Sequence, residues 1–373
     1  MTTPERPFLD FYEKHKIIPT SLEITHKQKF FAQRNYLFET LGIPTRFLSG
    51  TQILELGPGT GQKAEHLLSL NPASYTAIDN NPESIKSTQN MIDKSGYLGT
   101  ATLTSADFLD YVDTTRYDLA LAELVIPTQH EPVLFLRKLS EQLIAGGLLV
   151  FTCMDPISLL SETLRNAIVK DLHLIDHNLL ISAERITDFF KEDLDLLPGM
   201  NRHRSDWAID QIIKPPVGPL LDIPTALISL ADIAIFHGSS PRFLEDFRWY
   251  KSPEISLKNL SNVALQNYWE KCHNFLDFRE ITKSIKSEAN KKLFDMSSAI
   301  YSEVHEKVWT NNSRTTILNY CINILDHISE VSPVTAKSLE SFIKYWTSKD
   351  IQDLSKFRPW WGRGTQYVSV IKL

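Results

Sequence analysis

Three glycines at alternating positions are the residues of this sequence with the most specific chemical implication. Gly57, Gly59 and Gly61 follow a short segment with strand character, 52–56, and precede a helix-like segment, 62–70. Glycine lets the backbone turn sharply and approach a ligand closely, because it has no side chain that would clash. A dinucleotide-binding loop has the spacing G-x-G-x-x-G, whereas here the third glycine comes one residue early. The sequence therefore predicts a nucleotide-cofactor loop of a tighter type.

An acidic residue ends the second predicted strand, at a distance from the glycines that suits a ribose site. Asp79 lies 22 residues after Gly57, and Asn80 continues the polar turn that leads into a helix. A carboxylate at this place can accept hydrogen bonds from both hydroxyls of a ribose. The alternative is a structural role, in which Asp79 caps the following helix.

Two further acidic residues follow the third and fourth predicted strands. Asp107, with Phe108 beside it, comes after the third strand, and Glu123 ends the fourth. Because the carboxyl ends of parallel strands share one edge of a sheet, we expect these groups near the glycine loop. The alternative for Asp107 is a loop aspartate that caps the next short helix.

Together with the glycines, these residues resemble the cofactor motifs of class I S-adenosylmethionine-dependent methyltransferases, in the right order along 51–155. The resemblance implies S-adenosyl-L-methionine as the cofactor. It implies that Asp107 holds the adenine amino group and that Phe108 packs on the adenine ring. Glu55 would orient the glycine loop or bind the methionine amino group, and Glu123 would face the same crevice.

Strand and helix patterns alternate from 51 to 154, which favours a parallel sheet with right-handed crossovers. The predicted strands are 52–56, 74–78, 101–105, 117–122, 148–153, 231–236 and 365–372. A helix is predicted over 132–143, with Ala-Gly-Gly at 145–147 as its glycine C-cap. The fold class is α/β, and the resemblance implies a Rossmann-like sheet of five parallel strands plus a sixth and an antiparallel seventh.

The same patterns divide the chain into segments. Residues 1–50, with Phe8, Phe11 and Tyr12 among their apolar positions, predict a helical lid or a helical extension over the sheet edge. The other predicted segments are the cofactor-binding core 51–155, a helical substrate-cap insertion 156–228, the sixth strand 229–242, a second helical insertion 243–362, and the last strand 363–373. We expect both insertions to rise over the carboxyl end of the sheet, where open α/β sheets bind ligands.

Methyl transfer from a sulfonium is a direct in-line displacement, and a hydroxyl acceptor usually needs a base. The candidate catalytic residues are His130 and Glu123, in the segment that follows the fourth strand. A histidine can titrate near neutrality, and this segment is the one expected to face the substrate. The alternative for His130 is a surface histidine that caps the next helix. The chemistry requires no metal, and none is predicted.

Two clusters of arginine and aromatic residues are candidate substrate-binding sites. The first contains Arg202, Arg204, Asp206 and Trp207, and the second contains Arg242, Trp249 and Tyr250. Arginines suit an anionic or hydroxylated substrate, and aromatic faces suit sugar rings or cations. The alternatives are an exposed salt-bridged loop and tryptophans that anchor the insertions to the core. The aromatic and basic segment 358–364 leaves the same alternatives open.

The composition is that of an ordinary globular protein. The chain has 373 residues, of which 42% are apolar and 23% charged, and its formal net charge is −6. This charge argues against a broad nucleic-acid-binding surface. Three widely spaced cysteines suggest reduced thiols, and neither a secretory signal nor a membrane-spanning stretch is recognisable, so we expect a cytoplasmic protein. The oligomeric state stays open, a homodimer included.

The sequence thus predicts a methyltransferase that acts on a small polar molecule by O- or N-methylation. A resemblance to uncharacterised methyltransferases, some encoded beside surface-polysaccharide genes, makes a sugar or nucleotide sugar the preferred acceptor. The alternatives are a catalytically silent S-adenosylmethionine-binding or scaffold protein, and an aminopropyl transferase, which shares the fold and needs an acidic polyamine pocket. A nucleic-acid amino methyltransferase is disfavoured, because 122–125 reads Ala-Glu-Leu-Val instead of Asn/Asp-Pro-Pro-aromatic.

Overall fold

The computed structural model describes residues 24, 26–97, 99–111, 113–200, 202–214, 219–252 and 256–373. The chain forms two compact units. Unit 1 comprises Met1–Cys153, Pro219–Leu265 and Gln366–Leu373, and unit 2 comprises Met154–Gly218 and Gln266–Thr365. The helical pattern predicted around Phe8, Phe11 and Tyr12 lies outside the described residues. The segment 219–265 thus belongs to the unit that contains the sheet.

Unit 1 is built on a seven-stranded sheet. The strands are β1 Gln52–Leu56, β2 Ser74–Asp79, β3 Thr100–Ser105, β4 Tyr117–Ala122, β5 Leu143–Cys153, β6 Ala234–Ser240 and β7 Gln366–Lys372. Their order in the sheet is β3-β2-β1-β4-β5-β7-β6. Neighbours among β1 to β5 pair in parallel, whereas β7 runs antiparallel to both β5 and β6. The predicted fold class, including the antiparallel seventh strand, is confirmed.

Helices connect these strands and make up most of unit 2. In chain order they are α1 Lys27–Thr40, α2 Gln62–Leu68, α3 Pro82–Ser95, α4 Pro132–Glu141, α5 Pro156–Asp171, α6 Leu179–Phe189, α7 Lys191–Asp195, α8 Arg204–Trp207, α9 Ile223–Ser229, α10 Leu260–Lys271, α11 Ser287–His305, α12 Asn311–Ile328 and α13 Pro333–Ser348. A π-helical segment, Ala208–Ile213, follows α8. None of the described helices is both long and apolar enough to cross a membrane.

The register of β1, β2 and β4 brings their carboxyl ends to one place. Leu56 at the end of β1 pairs with Ile78 of β2 and with Ala122 of β4. The next residues along these three segments are Gly57, Asp79 and Glu123. These strands are apolar because parallel strands are covered on both faces, and Ile53 and Leu119 are fully buried. The pairing of these strands thus places Gly57, Asp79 and Glu123 at one edge of the sheet.

The segment that joins α4 to β5 differs from the prediction. Helix α4 ends at Glu141, and β5 already begins at Leu143, five residues before the predicted start. Gly146 has a φ of 79° and lies inside the strand, where the pairing with β4 is irregular. The glycine C-cap prediction is therefore wrong. Gly146 has the left-handed backbone expected of a cap, but it lies where the pairing between β4 and β5 is irregular.

Strand β6 also starts later than predicted, at Ala234 instead of 231. The chain is still leaving α9 at this point, since the N–H groups of Ala231 and Ala234 donate to the carbonyls of Ile228 and Leu230. The strand then continues to Ser240, with a register shift against β7. Apolar residues at 231–236 were read as strand because a helix end and a buried strand share this composition.

The core of unit 2 surrounds a buried arginine on α5. Arg165 is fully buried and pairs with Asp193, whose side chain is 1% exposed, at 3.0 Å. Its guanidinium lies 3.7 Å from the ring centroid of Trp361 and 4.7 Å from that of Phe357. Trp360 is also fully buried. The tryptophans of 358–364 therefore pack in the core of unit 2, which fits a structural role better than substrate binding.

Candidate functional site

Gly57 begins the cofactor loop, and its surroundings require a glycine there. Its backbone N–H donates to the carbonyl oxygen of Ile78 at 2.9 Å, and its φ is 66°. A Cβ at this position would clash with Cγ2 of Val125, in the segment after β4. The loop thus combines a left-handed backbone with close approach of a neighbouring chain segment, for which glycine is suited.

The loop ends at Gly61, which is the N-cap of α2 with a φ of 87°. A Cβ there would lie 3.0 Å from Cα of Thr88 on α3. The Thr88 hydroxyl in turn donates to the carbonyl oxygen of Gly59 at 3.3 Å. Contacts with α3 therefore hold the second half of the loop in place.

The carboxylate of Asp79 is partly buried at the end of β2 and is tied to the loop. It accepts the backbone N–H of Asn81 at 2.9 Å and also receives hydrogen bonds from the backbone of Gly59 and the side chain of Ser84. Burial raises its pKa, and these hydrogen bonds oppose the rise. Helix α3 is capped by Asn81 instead, whose side chain accepts the N–H of Glu83 at 3.0 Å. The N-cap position is thus occupied by another residue, and Asp79 faces the loop.

Asp107 and Phe108 lie after β3, as expected, and both contact other residues of unit 1. The Asp107 carboxylate accepts the backbone N–H of Leu109 at 2.7 Å, which closes a turn. The ring of Phe108 is 5% exposed, with its centroid 4.8 Å from that of Phe135. The Lys138 ammonium lies 5.4 Å from the Phe108 ring centroid. Their adenine-binding roles stay predictions.

Glu123 lies in a buried charged cluster that the sequence did not suggest. Arg34 on α1 donates to both carboxylate oxygens of Glu123, from Nη1 to Oε2 at 2.9 Å and from Nη2 to Oε1. Lys63 on α2 approaches Oε2 at 3.1 Å, and the Tyr367 side chain of β7 makes a further hydrogen bond to Glu123. We call Arg34, Lys63, Glu123 and Tyr367 the Glu123 cluster.

The sequence contains only partial indications that Arg34 and Lys63 are partners of Glu123. Arg34 lies four residues after Phe30 and four before Phe38, so a charge shares one helix face with aromatic residues. A charge on an apolar face indicates a buried partner, although the sequence does not say which one. Lys63 is the second residue of α2, directly after the glycine loop.

A second buried carboxylate, Glu55, lies near the carboxyl end of β1. It is 2% exposed and accepts a hydrogen bond from the Tyr75 hydroxyl at 2.6 Å. Burial raises the pKa of Glu55 to about 7, although the Tyr75 hydroxyl and the charges of Lys63 and Arg34 oppose the rise. This glutamate is therefore partly protonated near neutral pH.

The pKa of Glu123 is shifted in the opposite direction from that of Glu55. Burial alone would raise its pKa, but the charges of Arg34 and Lys63 outweigh burial and lower the pKa of Glu123 to about 2. A carboxylate with such a pKa and with both oxygens engaged is a weak proton acceptor. The other candidate base, His130, is exposed in the segment between β4 and α4. The geometry thus suits His130 better than Glu123 for proton transfer.

The second candidate substrate cluster follows β6 in unit 1. Because β6 and β5 both run antiparallel to β7, β6 ends at the same sheet edge as the cofactor loop. Arg242 is exposed, and Trp249 and Tyr250 are 64% and 74% exposed. Their ring centroids are 6.0 Å apart, and the Lys251 ammonium lies 5.3 Å from the Trp249 centroid. The loop presents aromatic surface beside positive charge.

The first candidate substrate cluster lies in unit 2 and is largely paired within it. Arg202 lies 3.2 Å from the Asp210 carboxylate, and Arg204 pairs with Asp195. The backbone N–H of Asp206 donates to the carbonyl oxygen of His203 within the first turn of α8. These contacts are those of the salt-bridged loop that the sequence left as an alternative.

Trp207, in the same cluster, belongs to the core of unit 2. Its side chain is 2% exposed and makes edge-to-face contacts with Phe190 and Trp361, at 5.9 Å between centroids in each case. An indole covered to this degree presents no surface to a substrate. A packing role fits this geometry better than substrate binding.

The groups at the carboxyl edge fit the cofactor that the resemblance implies. The Asp79 carboxylate is only partly buried, and the Arg34 side chain has a buried Nε without an acceptor in the described parts of the chain. An acid for ribose hydroxyls and cations for a carboxylate match the polar groups of S-adenosylmethionine. Across the described ranges, no three His, Cys, Asp or Glu side chains are placed to share a metal ion.

Comparisons with known proteins identify the domain. Residues 47–192 match a family model described as a methyltransferase domain. No curated protein matches the chain significantly.

Several solved structures share part of the chain. A methyltransferase structure from Thermoplasma acidophilum, described as putative, is 18% identical with a TM-score of 0.25, over 28% of this chain and 44% of that chain. The N-methyltransferase NodS from Bradyrhizobium japonicum WM9, in complex with S-adenosyl-L-homocysteine, is 15% identical with a TM-score of 0.31, over 39% and 73%. An S-adenosylmethionine-dependent methyltransferase from Mesorhizobium loti is 20% identical with a TM-score of 0.27, over 30% and 50%.

The shared region spans less than half of the Thermoplasma protein and half of the Mesorhizobium protein. The domain match contains the glycine loop, Asp79, Asp107 and Glu123. Residues 47–192 are therefore a methyltransferase domain, which supports S-adenosylmethionine as the cofactor.

Proposed function

We propose that the protein transfers the methyl group of S-adenosylmethionine to a small polar acceptor, with a sugar or nucleotide sugar as the preferred class. The observation that carries this proposal is the convergence of the glycine loop, Asp79 and Glu123 at one edge of the unit 1 sheet. Open α/β sheets bind their ligands at this edge.

The bound cofactor supplies an electrophilic methyl group on a sulfonium, and the chain supplies binding and alignment. In this proposal Asp79 accepts hydrogen bonds from the ribose, and Asp107 binds the adenine amino group. His130 accepts the proton of a hydroxyl acceptor. Its exposure in the segment after β4 supports this role, since the segment begins beside the Glu123 cluster.

The acceptor class is supported by the loop after β6. Trp249 and Tyr250 present exposed rings at the edge where β6 ends, and Arg242 and Lys251 add positive charge. Aromatic faces stack on sugar rings, and cations bind the phosphates of a nucleotide sugar. Lys251 already lies near both rings, which disfavours a cationic acceptor at this place.

Two steps test this function. Calorimetric titration with S-adenosylhomocysteine measures donor-site binding, and transfer of a labelled methyl group to a panel of nucleotide sugars and free sugars measures activity. Trp249→Ala should raise KM for the acceptor with little effect on donor binding. The matched control is Phe47→Ala, which removes a 64% exposed ring elsewhere in unit 1.

The outcomes separate the alternatives. Donor binding without transfer to any member of the panel would favour the scaffold reading. Transfer of an aminopropyl group from the decarboxylated donor would favour an aminopropyl transferase. If Phe47→Ala and Trp249→Ala affect KM equally, the loop after β6 is not the acceptor site.

A further inference from the structure

One leucine at the carboxyl edge of the unit 1 sheet has a backbone conformation that leucine rarely adopts. Leu124 lies two residues after the end of β4 and has a φ of 64°. In this left-handed region the Cβ atom of an L-residue crowds a neighbouring carbonyl oxygen, so glycine is favoured there. The other described non-glycine residues with a positive φ all follow the end of a helix within three residues: Asn71, His173 and Lys349. Helices commonly end in this way, whereas Leu124 follows a strand.

The neighbours of Leu124 hold its backbone in place. Its N–H donates to the hydroxyl oxygen of Thr152 at 2.8 Å. Thr152 lies on β5 and is fully buried. The next side chain, Val125, occupies the space that a Cβ at Gly57 would need, and the Val125 carbonyl oxygen accepts the Gln129 side-chain amide at 3.0 Å. Contacts with β5 and with the cofactor loop thus fix the strained segment.

The strain at Leu124 would be absent if the residue were glycine, so the leucine side chain needs another explanation. Residues that their surroundings hold in unfavourable backbone conformations cluster at functional sites. The Leu124 side chain is half-buried, in the segment that leads from Glu123 to His130. Sites for small molecules are lined mainly by apolar side chains with a few polar groups among them. A partly exposed leucine in this segment fits such a lining.

We propose that Leu124 determines acceptor specificity by contacting the acceptor, and that Thr152 is the positioning residue that keeps Leu124 in its left-handed conformation. This inference rests on the proposed methyl transfer and deepens it, because it assigns an apolar contact to the acceptor. The C–H groups of a sugar ring offer a surface for such a contact.

Melting temperatures test the strain first. Leu124→Ala and Leu124→Gly both remove the side chain, but only glycine relieves the left-handed backbone. Alanine is ordinarily the more stabilising of the two residues. At position 124 the order should be reversed, with Leu124→Gly melting about 2–4 °C above Leu124→Ala.

A matched pair of control variants is available at Asn71. This exposed residue has a φ of 56° and precedes β2, so it lies at the end of the strand opposite to Asp79. Asn71→Gly should also melt above Asn71→Ala, and neither variant should affect methyl transfer. The control thus separates relief of the backbone from loss of a side chain at the site.

Kinetics then test the contact with the acceptor. Transfer of a labelled methyl group is measured with the nucleotide sugar or free sugar of the panel that the unmodified protein methylates fastest. Leu124→Ala and Leu124→Gly should each raise KM for this acceptor about tenfold or more. The Kd of S-adenosylhomocysteine, measured by calorimetry, should change by no more than about twofold, since the contact is made to the acceptor.

The role of Thr152 is tested through its dependence on Leu124. Thr152→Val removes the hydroxyl and should raise the acceptor KM, whereas Thr152→Ser keeps the hydroxyl and should retain most of the activity. Added to Leu124→Gly, Thr152→Val should raise KM little further, because no side chain is left to position. Thermal unfolding of each variant shows whether it is folded.

Several outcomes would overturn the inference. If Leu124→Gly melts no higher than Leu124→Ala, the backbone at Leu124 is not strained. An unchanged acceptor KM in both variants removes Leu124 from the acceptor site, and a loss of S-adenosylhomocysteine affinity equal to the rise in KM assigns it to the donor, while methyl transfer stands in both cases. Additive effects of Thr152→Val and Leu124→Gly on KM reduce Thr152 to a structural role. If the unmodified protein methylates no member of the panel, the proposed function fails and the inference fails with it.

Discussion

Arg34 and Glu123, 89 residues apart in the chain, form a two-point ion pair in which the guanidinium donates to both carboxylate oxygens. The two side chains are 7% and 3% exposed. The pair joins α1 to the carboxyl end of β4, where the cofactor loop lies. The ion pair thus links two elements of unit 1 and also forms part of the candidate site.

Removal of one member of this pair should be strongly destabilising. Glu123→Gln leaves Arg34 and Lys63 buried without their counter-ion, and we expect unfolding to require about 3 kcal/mol less free energy. The double variant Arg34→Met/Glu123→Leu should be more stable than Glu123→Gln, because it leaves one cation, Lys63, without its counter-ion instead of two. Denaturant unfolding measures all three proteins.

The matched control for this prediction is an exposed pair in the same unit. Arg137 also donates to both carboxylate oxygens of its partner, Asp232, at 2.7 and 2.8 Å, but the side chains are 36% and 64% exposed. Asp232→Asn should have a much smaller effect, since water replaces the lost partner. Similar losses in Asp232→Asn and Glu123→Gln would contradict the role of burial.

The stability of unit 1 should depend on the titration of Glu55. Burial raises the pKa of Glu55 from 4.5 to about 7, so the folded protein binds this proton more tightly than the unfolded chain does. The resulting stabilisation is complete below pH 4.5 and is lost as the pH rises to about 7. Glu55→Gln keeps an acceptor for the Tyr75 hydroxyl and removes the titration.

Melting temperatures between about pH 5 and pH 8 test this dependence. Glu55→Gln should gain stability relative to the unmodified protein as the pH rises, by on the order of 3 kcal/mol for a shift of this size. Glu65→Gln, on the partly exposed surface of α2, provides the comparison. A constant difference between Glu55→Gln and the unmodified protein across this range would show that Glu55 does not titrate there.

Gly57→Ala should destabilise the protein more than Gly96→Ala, although both glycines have a left-handed backbone. Gly57→Ala combines a left-handed φ of 66° with a clash against Val125. Gly96 has a φ of 73°, but a Cβ there meets nothing within 4 Å. Gly96→Ala should therefore cost about 1 kcal/mol for the backbone conformation alone.

The clash can be tested separately. Gly57→Ala should lower the melting temperature more than Gly96→Ala and should also weaken S-adenosylhomocysteine binding. Val125→Ala, added to Gly57→Ala, should recover part of the stability, because it removes the Cγ2 atom in question. No recovery in the double variant would mean that the left-handed backbone accounts for the whole effect.

Asp79 should contribute more to donor binding than to folding. Asp79→Asn keeps an oxygen that accepts the N–H of Asn81 but loses the charge, and we expect the Kd of S-adenosylhomocysteine to rise about tenfold or more. The control is Asp93→Asn, an exposed residue of α3 that accepts a hydrogen bond from the nearby Gln89 side chain. An unchanged Kd in Asp79→Asn, measured by calorimetry, would remove Asp79 from the ribose site.

Much of the sheet could be predicted from the sequence because its signals are local. The bounds of β1 and β4 match the prediction, since short apolar segments flanked by turn residues identify buried strands. The start of β6 could not be predicted as well, because the end of α9 carries the same apolar composition. The C-cap prediction at Gly146 and Gly147 was wrong for a similar reason. A left-handed residue such as Gly146 can occur at a helix C-cap or at an irregularity in a strand.

The candidate substrate residues show a sharper limit. Trp207 and Trp249 are the same residue type in aromatic and basic surroundings, yet one is 2% exposed and the other 64%. Burial depends on which segments pack together, and residue type alone does not reveal it. Substrate binding by Trp249 therefore stays a prediction, whereas Trp207 fits a packing role in the core of unit 2.

By itself, the sequence determined the glycine loop, the acidic residues after β2, β3 and β4, and hence the cofactor class, because these groups are set by spacing along the chain. Only the tertiary structure decided the electrostatic state of the site. It brings Arg34, Lys63 and Glu123 together from three separate segments, so that Glu123 stays ionised while Glu55 is partly protonated. Charge and burial are properties of neighbours in space, and those neighbours are distant in the sequence.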